Sequence, residues 1–410
     1  MEQLNRGAFN VTRFFGERQE GSKYAYDAEN IITSSQREIS LKYGESPFGP
    51  PSEFEHLFKK SIDEGVLLKS MSEYRLSEPE EAIENVKTRF GLGGNADVIF
   101  SGGGSDEILE RLTFMLHHGN RKRRIFGLPP HFPDIVNYTN RIHAAGKDPQ
   151  GVIYGPIDAP TRSSITEGLA IAKERRKKNS SQQNITYYIS NPGNPLGNTT
   201  SLNAIEDFVD FCADRKNPDF VIIDEAFGDV LPDEESAINL IEEKGNLSVI
   251  RSYSKTLGLP GERIGYMATN KNIGDHYRTF RRPFDISASQ KAAANIISNP
   301  EIIDSHLKIV RPKIKALKSE FIDELKKNDI EILPTDNRVP IFCIRGKDSN
   351  LYENLRKLNL HTVPGHGFYS TNKEFTNQVV RLNLPKTKQD LEESVKRISF
   401  AYHYDIGTLT

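Results

Sequence analysis

Lys255 is the residue whose surroundings most strongly indicate chemistry. It follows the apolar run Leu247-Ser-Val-Ile250 and precedes a glycine-rich turn that leads to Arg263. A lysine amine in this position can form a Schiff base with an aldehyde such as pyridoxal phosphate, while Ser252 and Arg263 hold the phosphate. A solvent-exposed lysine is the simpler interpretation of Lys255 taken alone. The hypothesis therefore depends on what the rest of the chain places beside it.

Three apolar runs in the middle of the chain predict a parallel sheet covered by helices on both faces. They are Ile185–Ser190, Phe220–Asp224 and Leu247–Tyr253, and helix-like segments separate them. Each run ends in polar residues, and ligands of such sheets bind outside the carboxyl ends of the strands. We therefore expect Asn194, Asp224 and Lys255 to converge on one place.

A glycine-rich turn earlier in the chain could bind a phosphate. Gly102-Gly-Gly104 joins the apolar strand Asp97–Ser101 to a helix predicted over Ser105–Leu116. The first amides of that helix, near Ser105 and Asp106, are unpaired donors at the positive end of the helix dipole. A simple tight turn explains three glycines equally well. The turn gains weight only together with the other motifs.

Pyridoxal phosphate needs an amine, a carboxylate for its ring nitrogen, a donor to its ring hydroxyl and a phosphate cup. Lys255 would be the amine and the general acid/base, Asp224 the partner of the ring nitrogen, and Asn194 the hydroxyl donor. Phe132 could stack on the ring, although a core position is its default. The predicted cup consists of Gly104, Ser105, Asp106, Ser252 and Arg263.

The stretches that carry these residues resemble the fold type I pyridoxal-phosphate enzymes, and among them the class I/II aminotransferases. That group includes aspartate and histidinol-phosphate aminotransferases. The resemblance extends from about residue 39 to the end of the chain. The stretches that carry it, in the family's order, are Asn191-Pro-Gly-Asn-Pro-Leu-Gly197, Asp224-Glu-Ala-Phe227, Ser252–Gly265 and Val380-Arg-Leu-Asn383.

The resemblance implies an α/β fold in which a large domain with a mostly parallel seven-stranded sheet precedes a smaller α+β domain. We expect an N-terminal arm and the start of the small domain in residues 1–45, the cofactor-binding domain in 46–285 and the small domain in 286–410. In the last part the pattern predicts a long helix over Ser289–Leu325 and strands at Val339–Arg345 and Gln378–Leu384.

The resemblance also implies roles for residues that spacing alone does not reach. Arg381 falls where the family binds the substrate α-carboxylate, which suits a planar guanidinium. Tyr74 falls where a tyrosine crosses a homodimer interface to the phosphate of the partner's cofactor. Gly44 falls in a segment that the family places beside the substrate, and Asn194 is also expected to bind the substrate. These assignments are implied by the family alone.

Two departures from the family bear on the reaction. Phe227 stands where the family has a tyrosine that hydrogen-bonds the ring hydroxyl of the cofactor. Gly44-Glu-Ser-Pro47 replaces the Asn-Glu-Asn-Pro of histidinol-phosphate aminotransferases, and Val363–Phe368 lacks an arginine suited to a phosphate-bearing side chain. These features argue against histidinol phosphate and favour an amino acid with a free α-carboxylate.

The leading hypothesis is an aminotransferase that moves an amino group between an amino acid and a 2-oxo acid through an internal aldimine at Lys255. The alternative is another enzyme on this fold, namely a decarboxylase, lyase, cyclase or amino-acid oxidase. A ligand-sensing regulator is a third class. It is disfavoured because only about 38 residues precede the enzyme-like part, too few for the usual DNA-binding domain, and because the chain is not basic.

Composition bounds these hypotheses. The chain has 410 residues, of which 36% are hydrophobic and 27% charged, with a formal net charge of -2. This balance gives no reason to expect nucleic acid or a membrane as a partner, so small molecules are the expected partners. Cys212 and Cys343 are far apart in apolar surroundings, which predicts reduced core thiols and no metal site. With a polar N-terminus that lacks a signal peptide, we expect a cytoplasmic protein.

Overall fold

The fold was analysed in a computed structural model. The residues that the structure describes are 37–74, 78–118, 124–144, 152–154, 165–178, 184–214, 218–368, 370 and 372–404. The predicted N-terminal arm lies outside these residues except at its end.

A seven-stranded sheet forms the larger layer, in the strand order β2-β8-β7-β6-β5-β3-β4. All neighbouring pairs are parallel except those of β8, which is antiparallel to both β2 and β7. This confirms the predicted mostly parallel sheet. Its strands are β2 (Ala96–Ser101), β3 (Arg124–Gly127), β4 (Val152–Tyr154), β5 (Ile185–Ser190), β6 (Phe220–Glu225), β7 (Leu247–Ser252) and β8 (Gly265–Asn270).

Helices cover the faces of this sheet and of a second, smaller one. In the described residues they are α1 (Ser52–Asp63), α2 (Val66–Met71), α3 (Glu80–Phe90), α4 (Gly104–His118), α5 (Asp134–Ala144), α6 (Ile165–Lys178), α7 (Leu202–Ala213), α8 (Lys271–Arg278), α9 (Ala288–Ile297), α10 (Pro300–Lys327), α11 (Leu351–Lys357), α12 (Lys373–Gln378) and α13 (Lys388–His403). None of them is long and apolar enough to cross a membrane.

The C-terminal part builds the smaller sheet, an antiparallel one of order β12-β13-β10-β9. A short strand near the start of the described chain, β1, pairs in parallel with β11, so this early segment packs with the C-terminal part. The boundaries at residues 45 and 285 stay predictions. The strands are β1 (Ile39–Ser40), β9 (Glu331–Ile332), β10 (Phe342–Arg345), β11 (Leu360–His361), β12 (Val363–Pro364) and β13 (Val379–Leu382).

The long helix predicted over Ser289–Leu325 is wrong, because two helices occupy this range. α9 ends at Ile297 and α10 begins at Pro300. Between them the side chain of Asn299 accepts hydrogen bonds from the amides of Glu301 and Ile302, which makes Asn299 an N-cap. A proline at the first helical position also favours a new start.

The strand predicted over Val339–Arg345 is shorter than expected and begins at Phe342. The carbonyls of Val339 and Ile341 accept hydrogen bonds from the buried Lys318 ammonium. These carbonyls therefore have a side-chain partner, and the chain there forms a loop against α10.

Candidate active site

The glycine turn and Arg263 meet at the start of α4. Gly104 has a φ of +77°, a conformation that glycine adopts without strain. A Cβ added there would lie 3.1 Å from Nη2 of Arg263, which also donates to the Gly103 carbonyl at 3.3 Å. Nη1 of Arg263 donates to the Ser254 hydroxyl at 3.4 Å. The turn therefore places a guanidinium beside the first amides of a helix.

Ser252 closes the same cup from the end of β7. It pairs in register with Gly265 on β8, and a Cβ at Gly265 would collide with the amide nitrogen of Ser105. The Gln290 side chain donates to the carbonyls of Gly102 at 2.7 Å and Glu262 at 2.9 Å, so it holds both sides of the cup. Gln290 was missed from sequence because it lies in a distant helix.

The cup fits a phosphate. Its donors are helix N-terminal amides, a serine hydroxyl and a guanidinium, a combination that favours a dianion. The glycines at 104 and 265 leave the space that a side chain would fill. The carboxylate of Asp106 already accepts a hydrogen bond from the Tyr138 hydroxyl. The Asp106 contribution to the cup would therefore be its amide.

Asp224 lies at the end of β6, where its carboxylate has two donors. Oδ2 accepts from the Tyr188 hydroxyl at 2.6 Å, and Oδ1 accepts from the Ala226 amide at 2.9 Å. Burial raises the pKa of Asp224, and these two hydrogen bonds and the Lys255 amine oppose the rise. Tyr188 was missed from sequence. Its signal is strand alternation, since Tyr188 and Ser190 share a face of β5 and Ser190 pairs with Asp224.

Asn194 and Arg381 come from different sheets and touch. Nη1 of Arg381 donates to Oδ1 of Asn194 at 2.9 Å, and Nη2 donates to the Lys42 carbonyl. The guanidinium is 1% exposed and lies over the Phe368 ring at 5.1 Å. A buried cation requires anionic or carbonyl partners. Arg381 is thus held in place on an inner strand of the smaller sheet, against the turn that follows β5 of the larger one.

Lys255 lies between these groups. Burial, together with the charges of Arg381 and Arg263, lowers the pKa of its amine to about 8, while Glu45 and Asp224 oppose the shift. Nζ lies 5.5 Å from the centre of the Phe227 ring. A substantial fraction of the amine is therefore neutral near pH 8, the form that attacks an aldehyde or accepts a proton.

Phe227 fills the space between Lys255 and the segment that contains Gly44. Its ring is 2% exposed, and a Cβ added at Gly44 would lie 2.6 Å from its Cζ. The same added atom would lie 3.6 Å from Cδ of Lys255. Gly44 is therefore at the site, and its lack of a side chain is what lets the Phe227 ring lie there.

Two predicted residues have other surroundings. Phe132 is partly buried and packs against the apolar cluster that includes Phe368 and Val363 of the smaller unit. Tyr74 is 91% exposed, and its ring lies 5.1 Å from that of Phe284. Within the described chain, Tyr74 therefore does not join the phosphate cup. A role for it in the cup requires a second copy of the chain.

Comparison with known proteins identifies the family to which the chain belongs. The family model for aminotransferase class I and II matches residues 39–398. The chain belongs to this family. Histidinol-phosphate aminotransferase 2 of Haemophilus influenzae is 26% identical over 354 residues, which cover 84% of this chain and 87% of that protein. The predicted family is thus confirmed, and this aminotransferase-family enzyme uses pyridoxal 5'-phosphate.

Solved structures show the same fold. Histidinol-phosphate aminotransferase of Sinorhizobium meliloti, in complex with pyridoxal-5'-phosphate, has a TM-score of 0.69 and 18% identity, covering 91% of each chain. L-threonine-O-3-phosphate decarboxylase of Porphyromonas gingivalis has a TM-score of 0.68 and 17% identity, covering 88% of this chain and 98% of that one. The predicted fold class is confirmed, and the fold alone does not select a reaction.

The lowered pKa of Lys255 predicts a pH-dependent stability. Between about pH 8 and about pH 10.4 the unfolded chain binds a proton that the folded chain has lost, so stability relative to Lys255→Met should rise with pH there. The rise should be at most about 3 kcal/mol, since one pKa unit corresponds to about 1.4 kcal/mol. Urea unfolding of both apoproteins at several pH values measures it. Lys315→Met, at an exposed position, is the control, and a flat difference would contradict the lowered pKa.

The contact between Gly44 and Phe227 predicts that Gly44→Ala is harmful. The added methyl group would overlap the ring, and overpacking costs about 1–3 kcal/mol. Gly94→Ala is the matched control, because a Cβ there meets nothing within 4 Å. Gly44→Ala should lower both the thermal unfolding temperature and the cofactor affinity. Gly44→Ala combined with Phe227→Leu should restore both. Failure of the double variant to recover would show that the ring is not the obstacle.

Proposed function

We propose that this family member is an aminotransferase that moves an amino group between an amino acid with a free α-carboxylate and a 2-oxo acid. The observation that supports it best is the grouping of Lys255, Asn194 and Arg381. The first is an amine of lowered pKa, and the last is a buried guanidinium held against an amide. A group that moves protons therefore lies beside a group that binds carboxylates.

Each residue would have a defined task. Bound pyridoxal phosphate supplies an aldehyde and an electron-withdrawing ring. Asp224 would keep the ring nitrogen protonated, with Tyr188 and the Ala226 amide holding its carboxylate in place. Asn194 would donate to the ring hydroxyl through Nδ2. Gly104, Ser105, Asp106, Ser252 and Arg263 would hold the phosphate.

Lys255 would carry the cofactor and then move the proton. Its neutral amine would accept the proton from the substrate Cα, and the ammonium that results would be the acid that donates it again. Arg381 fixes the substrate for this transfer, because a guanidinium has five N–H donors and binds a carboxylate at two points. The Phe227 ring would exclude water from one side of the amine.

The experiment that tests this function uses the enzyme loaded with pyridoxal phosphate. A panel of amino acids is added singly while the cofactor absorbance is followed, and products are identified by mass spectrometry. A substrate should convert the cofactor to its amine form and release a 2-oxo acid. Supplying a 2-oxo acid should then restore the aldehyde form of the cofactor. Lys255→Ala should abolish turnover. Borohydride reduction of the loaded enzyme should label Lys255, and a label on another lysine would overturn its assignment.

A second reaction class remains open because Phe227 lacks the family's hydroxyl. A ring hydroxyl with one donor fewer could favour loss of carbon dioxide or of a side-chain group over amino transfer. The same panel distinguishes these outcomes. Carbon dioxide would indicate a decarboxylase, and ammonia without dependence on a 2-oxo acid would indicate a lyase or an oxidase. A cyclic amino acid formed with loss of a side-chain group would indicate a cyclase.

Arg381 is expected to bind the substrate α-carboxylate. Arg381→Ala should weaken apparent substrate affinity by about 2–5 kcal/mol, as for truncation of one member of a buried charge pair. Arg345→Ala is the matched control, because Arg345 lies on the neighbouring strand β10 and pairs with Glu331 and Glu374. The KM for the amino acid should rise in Arg381→Ala alone. Unchanged affinity would remove Arg381 from the substrate site.

We further propose a homodimer in which Tyr74 completes the phosphate cup of the partner subunit. Tyr74 and Phe284 form an aromatic pair that is 91% and 51% exposed. Nearby in sequence, Val66, Leu68 and Met71 are each more than half exposed. An exposed apolar surface of this kind is typical of an interface. A cytoplasmic location stays a prediction.

The dimer is tested by sedimentation and cofactor retention. Tyr74→Ala should weaken both self-association and cofactor binding, whereas Tyr74→Phe keeps the ring and should weaken cofactor binding alone. The loss in cofactor affinity should be about tenfold or more, since a hydrogen bond to a charged group contributes ~1.5–3 kcal/mol. An active monomer with tightly bound cofactor would refute the proposal.

A further inference from the structure

Lys318 is a buried lysine that the chemistry above does not use. It lies in the middle of α10 and is 0% exposed. Its Nζ donates to the Thr335 hydroxyl at 2.7 Å, to the carbonyls of Asp336 and Val339 at 2.8 Å, and to that of Ile341 at 2.9 Å. A lysine side chain is rarely fully buried unless its charge has partners. Here one ammonium gathers four oxygens from the 335–341 loop.

The 335–341 loop lies directly against the turn that contains Asn194. The amide of Asp336 donates to the Gly197 carbonyl at 2.8 Å, and the Thr335 hydroxyl donates to the same carbonyl at 3.2 Å. The Thr199 hydroxyl donates to the Asp336 carboxylate at 2.9 Å. A Cβ at Gly197 would collide with the Ile341 carbonyl, so the two backbones are in close contact.

The same loop leads into the strand that pairs with Arg381. Cys343 on β10 is in register with Arg381 on β13, and its thiol donates to the Pro195 carbonyl at 3.4 Å. The 194–197 turn is thus attached at Gly197 to the 335–341 loop and at Pro195 to strand β10. The distance between the Arg381 and Asn194 side chains is set by these attachments.

We propose that Lys318 is a positioning residue, whose buried amino group holds the 335–341 loop against Gly197 and so fixes Asn194 relative to Arg381. The proposal rests on the proposed function in one respect, the roles of Asn194 and Arg381 toward cofactor and substrate. Lys318 itself touches neither group.

An ammonium suits this position better than an apolar side chain. The carbonyls of residues 336, 339 and 341 converge on Nζ, and without a donor they would be buried and unsatisfied, which costs more than the hydrogen bonds contribute. Burial lowers the pKa of Lys318 to about 7, while Asp336 and Cys343 oppose the shift. Arg338 also faces this region and is paired with Asp336 and Glu235.

Hydrogen exchange of the full-length apoprotein tests the proposal without using activity. In Lys318→Met the amide of Asp336 should exchange about tenfold faster or more, since that amide is protected only while the loop lies on Gly197. Lys315→Met is the matched control on the same helix, at an exposed position. Unchanged exchange at Asp336 in Lys318→Met would overturn the proposal, whatever the enzyme's activity.

A milder variant covers the case in which Lys318→Met does not fold. Thr335→Val removes one acceptor of the ammonium and one donor to Gly197 while keeping the side-chain shape. It should also speed exchange at Asp336, by a smaller factor. If Thr335→Val leaves that exchange unchanged, the loop does not depend on this hydrogen bonding and the proposal fails.

Kinetics of the loaded enzyme separates positioning from general loss of structure. Displacement of Asn194 from Arg381 should raise the KM for the amino acid about tenfold in either variant, because the guanidinium loses its fixed position. A fall in kcat at constant KM would show a merely structural role and would overturn the proposal. A different result would be an unchanged KM in Arg381→Ala together with faster exchange at Asp336 in Lys318→Met. In that case the assignment of Arg381 to the substrate fails and the attachment of the loop stands.

Discussion

The hydrogen bond between Arg381 and Asn194 is the contact on which the candidate site depends, because it joins the parts of the chain that build the two sheets. Asn194 follows β5 of the larger sheet and Arg381 lies in β13 of the smaller one, and their side chains are 2.9 Å apart. A guanidinium buried to 1% exposure cannot stay without acceptors. The packing of the two sheets must therefore bring the Asn194 amide and the Lys42 carbonyl to it.

Strand alternation gives two adjacent carboxylates opposite tasks. Asp224 faces the site, whereas Glu225 points to the other face of β6 and binds Arg251 with two hydrogen bonds of 2.9 and 2.8 Å. Arg251 also donates to Asp229 at 2.7 Å, just after Phe227. These buried ion pairs fix the backbone position of the segment that follows β6. The position of the Phe227 ring is thus set by contacts on the face of the sheet opposite to Asp224.

The parts of the site that could be predicted from sequence are those that depend on local pattern. Continuous apolar runs followed by polar residues indicate parallel strands, and such strands end at one edge, so Asn194, Asp224 and Lys255 were expected together. Tyr188 required the pairing register of β5 with β6. Lys318 was missed because a lysine among the charged residues of α10 resembles a solvent-exposed one. The break at Asn299 has a local signal, an N-cap followed by proline, but the apolar pattern on both sides obscured it.

The absence of a hydroxyl at Phe227 gives Asn194 a double task in the proposed chemistry. A guanidinium only donates, so the contact with Arg381 fixes which end of the amide faces which way, with Oδ1 toward Arg381 and Nδ2 turned away. Nδ2 would then be the donor to the cofactor hydroxyl, without help from residue 227. A carboxylate that draws Arg381 toward itself would change the hold on Oδ1 and with it the donor strength of Nδ2. Substrate binding and the electronic state of the ring would therefore be coupled through one side chain, and a family member with a tyrosine at this position would have a second donor to weaken that coupling.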